Sequence, residues 1–325
     1  KQYFSLDNVL VGLFDTAEKL YGLQMEAADD IPKYHDDVRV FKVKEADGTL
    51  TGILYMDFFV RESKRSGAWM TSFRKQYYLD GERVIPVIMN VLNFPAPEEG
   101  KPALLSFDNV QTLFHEFGHG LHGLLSDVET HTLSGTSTAR DFVELPSQIM
   151  ENWASHPDVI VTYAKHYETG EPIPADLLEK LDRSSKFNEG FRAVEYLAAS
   201  YLDLSWHSLT EGGEFDVNAF EQEAMDKIGL IDEIIPRYRS GYFSHIFSGG
   251  YAVGYYSYIW AEVLDADAFE AFEENGLFDE ATALAFRKNI LSKGGSDDEM
   301  KLYEQFRGHA PDIQPLLERK GFDKK

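Results

Sequence analysis

Residues 112–123, TLFHEFGHGLHG, place two histidines four apart, His115 and His119, with a glutamate, Glu116, directly after the first. On a helix, side chains four apart lie one turn above one another, so both imidazoles can turn a nitrogen toward one ion. Glu116 projects about 100° further round the helix, off the ligand face but within reach of a water held there. The competing account is a helix whose histidines are merely packed, because a His-Glu-x-x-His run also arises by chance. The flanking sequence decides between them.

Helical character begins just before this stretch, with Ser106 or Asp108 able to cap NVQTLFHEFGHGLHGLL. Further helical runs are expected over 174–187, 189–211, 216–228, 250–274 and 279–292. Upstream, LDNVLVGLFDTAEKLYGL (6–23) repeats apolar residues at the spacing of an amphipathic helix. DVRVFKVKEADGTLTGILYMDFFVR (37–61) alternates around Asp47-Gly48, a hairpin signal. RVIPVIMNVLNF (83–94) is a third β-rich run, in which Pro86 argues for an edge or a bulge. The expected fold is α+β and predominantly α-helical, a small, mainly antiparallel sheet followed by a large helical assembly. Residues 1–105 form a helix-plus-sheet subregion and 106–325 a helical subregion that holds the site. TEGGEFD (210–216) and SKGGSDDE (292–299) are short enough to be ordinary helix connections, so one compact unit is expected.

Composition limits the chemistry. The chain has 325 residues, 43% of them hydrophobic, a formal charge of −24 and no cysteine. A disulfide framework, a thiolate metal site and a cysteine nucleophile are therefore excluded, and any metal must be held by His, Asp or Glu. So acidic a surface repels nucleic acid and anionic lipid, and no run of about eighteen uncharged apolar residues offers a membrane span. KQYFSLDNVL at the start has no basic and apolar leader pattern, and a cytoplasmic location is expected.

A zinc ion needs a third protein ligand. TLSGTSTARDFVELPSQIMENW (132–153) supplies Glu144, a lone carboxylate between Val143 and Leu145 at a buried helix start, costly there unless paired or metal-bound. Ser147 and Glu151, three and seven residues further on, and Asp108, two turns before His115, are candidates to support the ligands.

These two motifs together resemble the zinc oligopeptidase family that includes thimet oligopeptidase, neurolysin and bacterial dipeptidyl carboxypeptidase. The resemblance implies one zinc ion held by His115, His119 and Glu144, with Glu116 as the base. A third matching stretch is HIFSGGYAVGYYSYIWAEV (245–263), where Tyr251, Tyr255 and Tyr258 fall at i, i+4 and i+7, as on one helix face. Spacing alone would make these a core stripe. In the family the corresponding loop, here Gly249-Gly250, and tyrosines line the active site. The resemblance thus makes Tyr258 the donor to the developing oxyanion, Tyr251 a second contributor, Tyr255 a lining residue and His245 a substrate-binding group.

DFFVRESKRSGAWM (57–70), NVLNFP (90–95) and VEYLAASYLDLSWH (194–207) are most similar to the dipeptidyl carboxypeptidase branch, which removes dipeptides from free C-termini. Such specificity needs a cation for the terminal carboxylate, for which Arg237 and Arg239, just before the tyrosine loop, are candidates. An endo-oligopeptidase of the same family and a non-catalytic peptide-binding fragment are the alternatives. Family members are about twice this long, and by resemblance this chain is the C-terminal, catalytic half. The expected partners are short peptides and the missing N-terminal half, which walls a channel in the family.

Overall fold

A computed structural model describes residues 1–322. Helix α1 (Leu6–Tyr21) begins where the Ser5 hydroxyl accepts the N–H of Asn8 and ends at Gly22, whose φ of 70° supplies the left-handed turn. Its apolar stripe, Val9, Leu10, Leu13, Ala17 and Leu20, is buried as its spacing predicts.

The strands that follow are β1 (Gln24–Ala27), β2 (Arg39–Lys44), β3 (Leu50–Phe59), β4 (Trp69–Arg74), β5 (Tyr77–Leu79), β6 (Glu82–Val84) and β7 (Val87–Phe94). Asp47-Gly48 turns β2 into β3, with Gly48 at φ 87° and the Asp47 carboxylate accepting the Thr49 N–H at 2.9 Å. Five strands pair in the order β1-β2-β3-β7-β4, and β5 and β6 form a separate ribbon. Three joints of the large sheet are antiparallel, but β3 and β7 run parallel. The sheet is thus mixed, because β4 to β6 intervene and let β7 return in the direction of β3; side-chain alternation does not encode strand direction. Pro86 precedes the paired residues of β7, which begin at Val87, so its missing N–H removes no bond from the strand's ladder, while its carbonyl accepts the Ile53 N–H at 3.0 Å.

Where β3 ends, buried Asp57 accepts hydrogen bonds from Arg61 at 2.7 and 2.6 Å, from Lys64 at 3.1 Å and from the Tyr34 hydroxyl at 2.7 Å. This cluster ties the crossing loop to the sheet and delivers the chain to β4, which forms the sheet edge.

The helices are α2 (Phe107–Leu124), α3 (Leu145–Ser155), α4 (Pro157–Tyr163), α5 (Ala175–Ser185), α6 (Glu189–His207), α7 (Val217–Lys227), α8 (Ser244–Phe247), α9 (Ser257–Asn275), α10 (Glu280–Phe286), α11 (Glu299–Arg307) and α12 (Gln314–Arg319). Ser106 caps α2 in a reciprocal box with Asn109, so Asp108 is not the cap. The expected helix over 250–274 starts only at Ser257, and that over 279–292 passes from α10 into a π-helical turn at Arg287–Leu291. One buried core runs from Phe4 to Tyr303 and joins α1, the sheet, α2, α3 and α9. Among the described residues no helix is long and apolar enough to cross a membrane.

Candidate active site

Helix α2 can approach α3 closely because position 118 is glycine. A Cβ there would stand 2.2 Å from the Pro146 carbonyl oxygen and 2.6 Å from Ser147 Cα, inside any tolerable contact. Pro146 lies in the first turn of α3, and Glu144 is its N-cap residue. The close crossing therefore sets Glu144 beside the next turn of α2, where His115 and His119 project.

Glu144 Oε2 lies 3.3 Å from His115 Nε2 and 3.1 Å from His119 Nε2, and the three side chains form a compact group of metal-ligating type. Tetrahedral zinc with ligand bonds of ~2.0–2.1 Å has ligand-to-ligand edges of roughly 3.3 Å, so these spacings fit that ion. The surroundings orient the donors. His115 Nδ1 is 2.7 Å from Glu151 Oε1, so Nδ1 can keep its proton on Glu151 while Nε2 is the ring nitrogen that faces the group. Ser147 Oγ donates to Glu144 Oε2 at 3.0 Å, and the Tyr251 hydroxyl donates to Glu144 Oε1 at 2.6 Å. Asp108, by contrast, is exposed on the first turn of α2, and its backbone carbonyl accepts from Thr112; it supports no ligand.

Charge at this centre follows from burial and pairing. Burial opposes charge on His115, but hydrogen bonds with Glu144 and Glu151 outweigh it and hold the pKa well above its usual value. Burial likewise opposes ionisation of Glu144, yet His119 and His115 hold its carboxyl well below the usual range. Glu116 is 4% exposed, its Oε2 has no partner, and burial raises its pKa against the pull of His115 and His119. It is a buried carboxylate with an open acceptor beside the ligand group, the arrangement a proton-transfer residue requires.

The tyrosines gather here, though not on one helix face. Tyr251 and Tyr255 lie in turns before α9, and Tyr258 is in its first turn. Tyr251 and Tyr258 stack with centroids 5.2 Å apart, and the His245 ring sits 6.2 and 6.3 Å from them. Tyr255 is 2% exposed and packs on Phe243 at 4.8 Å and Tyr196 at 5.0 Å, so its ring belongs to a local core. Gly250 turns the loop at φ 82°, and a Cβ on Gly249 would meet the His245 backbone at 2.9 Å.

Sequence reasoning passed over the residue that pins this loop. Asp203 of α6, 2% exposed, accepts the N–H of Val253 and of Tyr255, both at 2.9 Å, and lies 2.8 Å from His207 Nδ1. Its signal was an acid within the apolar VEYLAASYLDLSWH. Arg140 was passed over as well. Its guanidinium lies over the Tyr251 ring, 4.7 Å from the centroid.

The two expected carboxylate-binding arginines separate. Arg239 pairs with buried Glu221, which also accepts from the Ser240 N–H and hydroxyl, so its charge is spent inside the fold. Arg237 is exposed, and its charge adds to burial in lowering the His245 pKa.

Comparison with known proteins gives these features a setting. The chain is 48% identical to the dipeptidyl carboxypeptidase of Salmonella typhimurium over 327 residues, covering all of this chain and 48% of that protein. It is 41% identical to oligopeptidase A of Escherichia coli, covering 99% of this chain and again 48% of the relative. The chain therefore spans about half the length of the curated relatives it matches. A carboxypeptidase of Pyrococcus furiosus, 13% identical, superposes over 99% of this chain and 59% of its own with a TM-score of 0.56, which shows a shared fold. The model of peptidase family M3 matches residues 1–322, and the chain belongs to that family.

Proposed function

We propose that this chain is the zinc-site half of a metallopeptidase that hydrolyses short peptides, releasing dipeptides from free C-termini. One observation carries the reading: three ligating side chains converge within 4.8 Å of one another beside a buried carboxylate with an unpartnered oxygen. His115, His119 and Glu144 would hold the ion. When bound, zinc supplies Lewis acidity that polarises a peptide carbonyl and acidifies water.

The remaining work falls to this chain's own groups. Glu116 Oε2 takes the proton of the attacking water and returns it to the leaving amine, and burial suits it by raising its proton affinity. Tyr258, held in a fixed stack with Tyr251, presents its hydroxyl to the oxygen that gains charge; Tyr251, whose single proton is donated to Glu144 here, joins it as a donor when that bond is exchanged for one to the substrate oxygen. His245 lies beside the stack to position the substrate backbone. The β4 edge offers unpaired backbone groups along which an extended peptide can add as a strand.

An endo-oligopeptidase is the second reading, supported by the oligopeptidase A likeness at 41% identity. A complementary half is proposed as partner because α6 exposes Phe191, Val194, Leu197, Tyr201 and Leu204 along one face, an apolar stripe that a further helical segment would cover. A binding-only fragment would result if that half were needed for turnover. Placement in the cytoplasm belongs to the same proposal, and cell fractionation tests it.

The test is metal analysis combined with Glu116→Gln. Near one zinc per chain in both proteins, with a blocked free-acid tripeptide cut by the wild type alone, is the expected result. Turnover by the variant would remove Glu116 from its role, and absence of metal from both would return the histidines to a packing role.

A further inference from the structure

A peptide that ends in a free carboxylate meets a molecule of formal charge −24, so its anionic end needs a local cation. Arg239 is committed to Glu221, whereas Arg140 and Arg237 are exposed and form no ion pair among the described residues; of these two, Arg140 is the one that lies on the Tyr251 ring. Arg140 also lies against the site wall. Its Nη2 and Cγ come within ordinary contact distance, 3.5 Å, of the Cβ positions of Gly250 and Gly254, so the side chain runs along the glycine-rich turn. Its guanidinium lies on the face of Tyr251, whose hydroxyl reaches Glu144, while the neighbouring Asp141 accepts from the Tyr256 hydroxyl at 2.7 Å. Through Tyr251 the guanidinium falls within roughly 10 Å of the Glu144 carboxylate, the reach of two to three extended residues at ~3.3 Å each.

We propose that Arg140 is the specificity residue that grips the C-terminal carboxylate of the bound peptide and so sets the cut two residues from the end. The proposal rests on the peptidase reading and deepens it. The planar fork of arginine matches a carboxylate with two parallel hydrogen bonds. Contact with the Tyr251 ring face holds the guanidinium beside the site, and with no ion pair among the described residues its N–H groups are available to a ligand. A serine or lysine in the same place would offer no such two-point match.

The test is equilibrium binding of N-acetylated alanyl-phenylalanine and its C-terminal amide to the full chain, by calorimetry, with and without zinc. The wild type should bind the acid about tenfold or more tightly than the amide, and Arg140→Met should narrow that gap to about twofold, the size expected for one charged hydrogen-bonded contact. Methionine keeps an apolar stem beside Tyr251, and loss of the guanidinium–ring contact reads out separately because it would weaken acid and amide alike. Equal weakening of acid and amide in Arg140→Met would make Arg140 a support for Tyr251 and overturn the proposal. So would a gap that survives Arg140→Met but vanishes in Arg237→Met, or a wild type that binds neither acid nor amide or does not distinguish them. Failure of the peptidase reading reads out separately, as absence of zinc uptake and hydrolysis, because the acid–amide gap is scored in the metal-free chain too.

Discussion

Gly118→Ala isolates the contact that assembles the site. In an unconstrained helix interior this change stabilises by about 1 kcal/mol, because alanine loses less backbone freedom than glycine. Here the added Cβ would stand 2.2 Å from the Pro146 carbonyl oxygen and 2.6 Å from Ser147 Cα, both backbone atoms of α3. Carbon-to-oxygen contacts settle near ~3.3 Å, so the two helices must part by about 1 Å. Overpacking of this kind costs about 1–3 kcal/mol, enough to reverse the helical gain. The same displacement carries Glu144 away from two histidines now at 3.3 and 3.1 Å, and zinc affinity should fall by about 10- to 100-fold, as when an orienting contact is lost.

Gly123→Ala in the same helix is the control. Its Cβ would meet Met70 Cε at 2.6 Å and Ile88 Cδ1 at 2.7 Å, the ends of flexible side chains that can turn aside. That cost should stay below about 1 kcal/mol, with zinc binding unchanged. Urea unfolding of the metal-free proteins and competitive zinc titration measure both effects. A Gly118→Ala protein as stable and as tight for zinc as the wild type, or one harmed no more than Gly123→Ala, would refute the close-crossing argument.

Three other perturbations address separate parts of the molecule. Glu151→Ala frees His115 Nδ1 and should weaken zinc binding about tenfold while leaving the ligand set intact; unchanged affinity in the same titration would remove Glu151 from the support of the site. Tyr258→Phe should lower kcat on the order of 100-fold with little change in KM, and a change confined to KM would make the hydroxyl a ground-state binder. Asp57→Asn should cost about 3 kcal/mol at pH 7, because it leaves Arg61 and Lys64 without their shared anion. Burial opposes charge on Asp57, but bonds from Arg61, Tyr34 and Lys64 prevail and depress its pKa. A depressed folded pKa contributes stability that is complete above the unfolded value of about 4 and fades as pH falls through the folded one. The wild-type advantage over Asp57→Asn in urea titrations should therefore narrow below about pH 4, and an advantage independent of pH would contradict the ionic account.

The elements that sequence located well are those whose signal is local. α1, the β2–β3 turn and α2 each combine a periodic apolar pattern with a cap or turn residue within a few positions, and each forms where that combination stands. Strand direction is a different kind of quantity. Residues 37–61 and 83–94 read as β-structure, but whether β7 meets β3 parallel or antiparallel depends on what β4 to β6 do between them. The start of α9 was misplaced for a related reason. The glycines and tyrosines over 249–256 have helical spacing, yet Asp203, fifty residues before Val253, takes the N–H groups of Val253 and Tyr255 and holds this stretch in a non-helical turn.

That competition explains why the tyrosine spacing led to the right neighbours through the wrong geometry. Seven residues apart on one helix, Tyr251 and Tyr258 would lie two turns distant along its axis, about 10 Å, too far for their rings to stack. Folding 249–256 back on Asp203 closes that distance to 5.2 Å between ring centroids and turns the Tyr251 hydroxyl onto Glu144. The loop is thus shaped by a buried carboxylate that touches none of the three ligands, and its left-handed Val253, at φ 56°, is held by one of that carboxylate's two bonds. His115, Glu116 and His119 are legible in the chain because a single helix presents them. Asp203 is marked in the sequence only as an acid among apolar neighbours and Arg140 not at all; their roles become legible once α3, α6 and the glycine-rich loop have met, since each is defined by a partner remote in sequence: a ring face for Arg140 and two backbone N–H groups for Asp203.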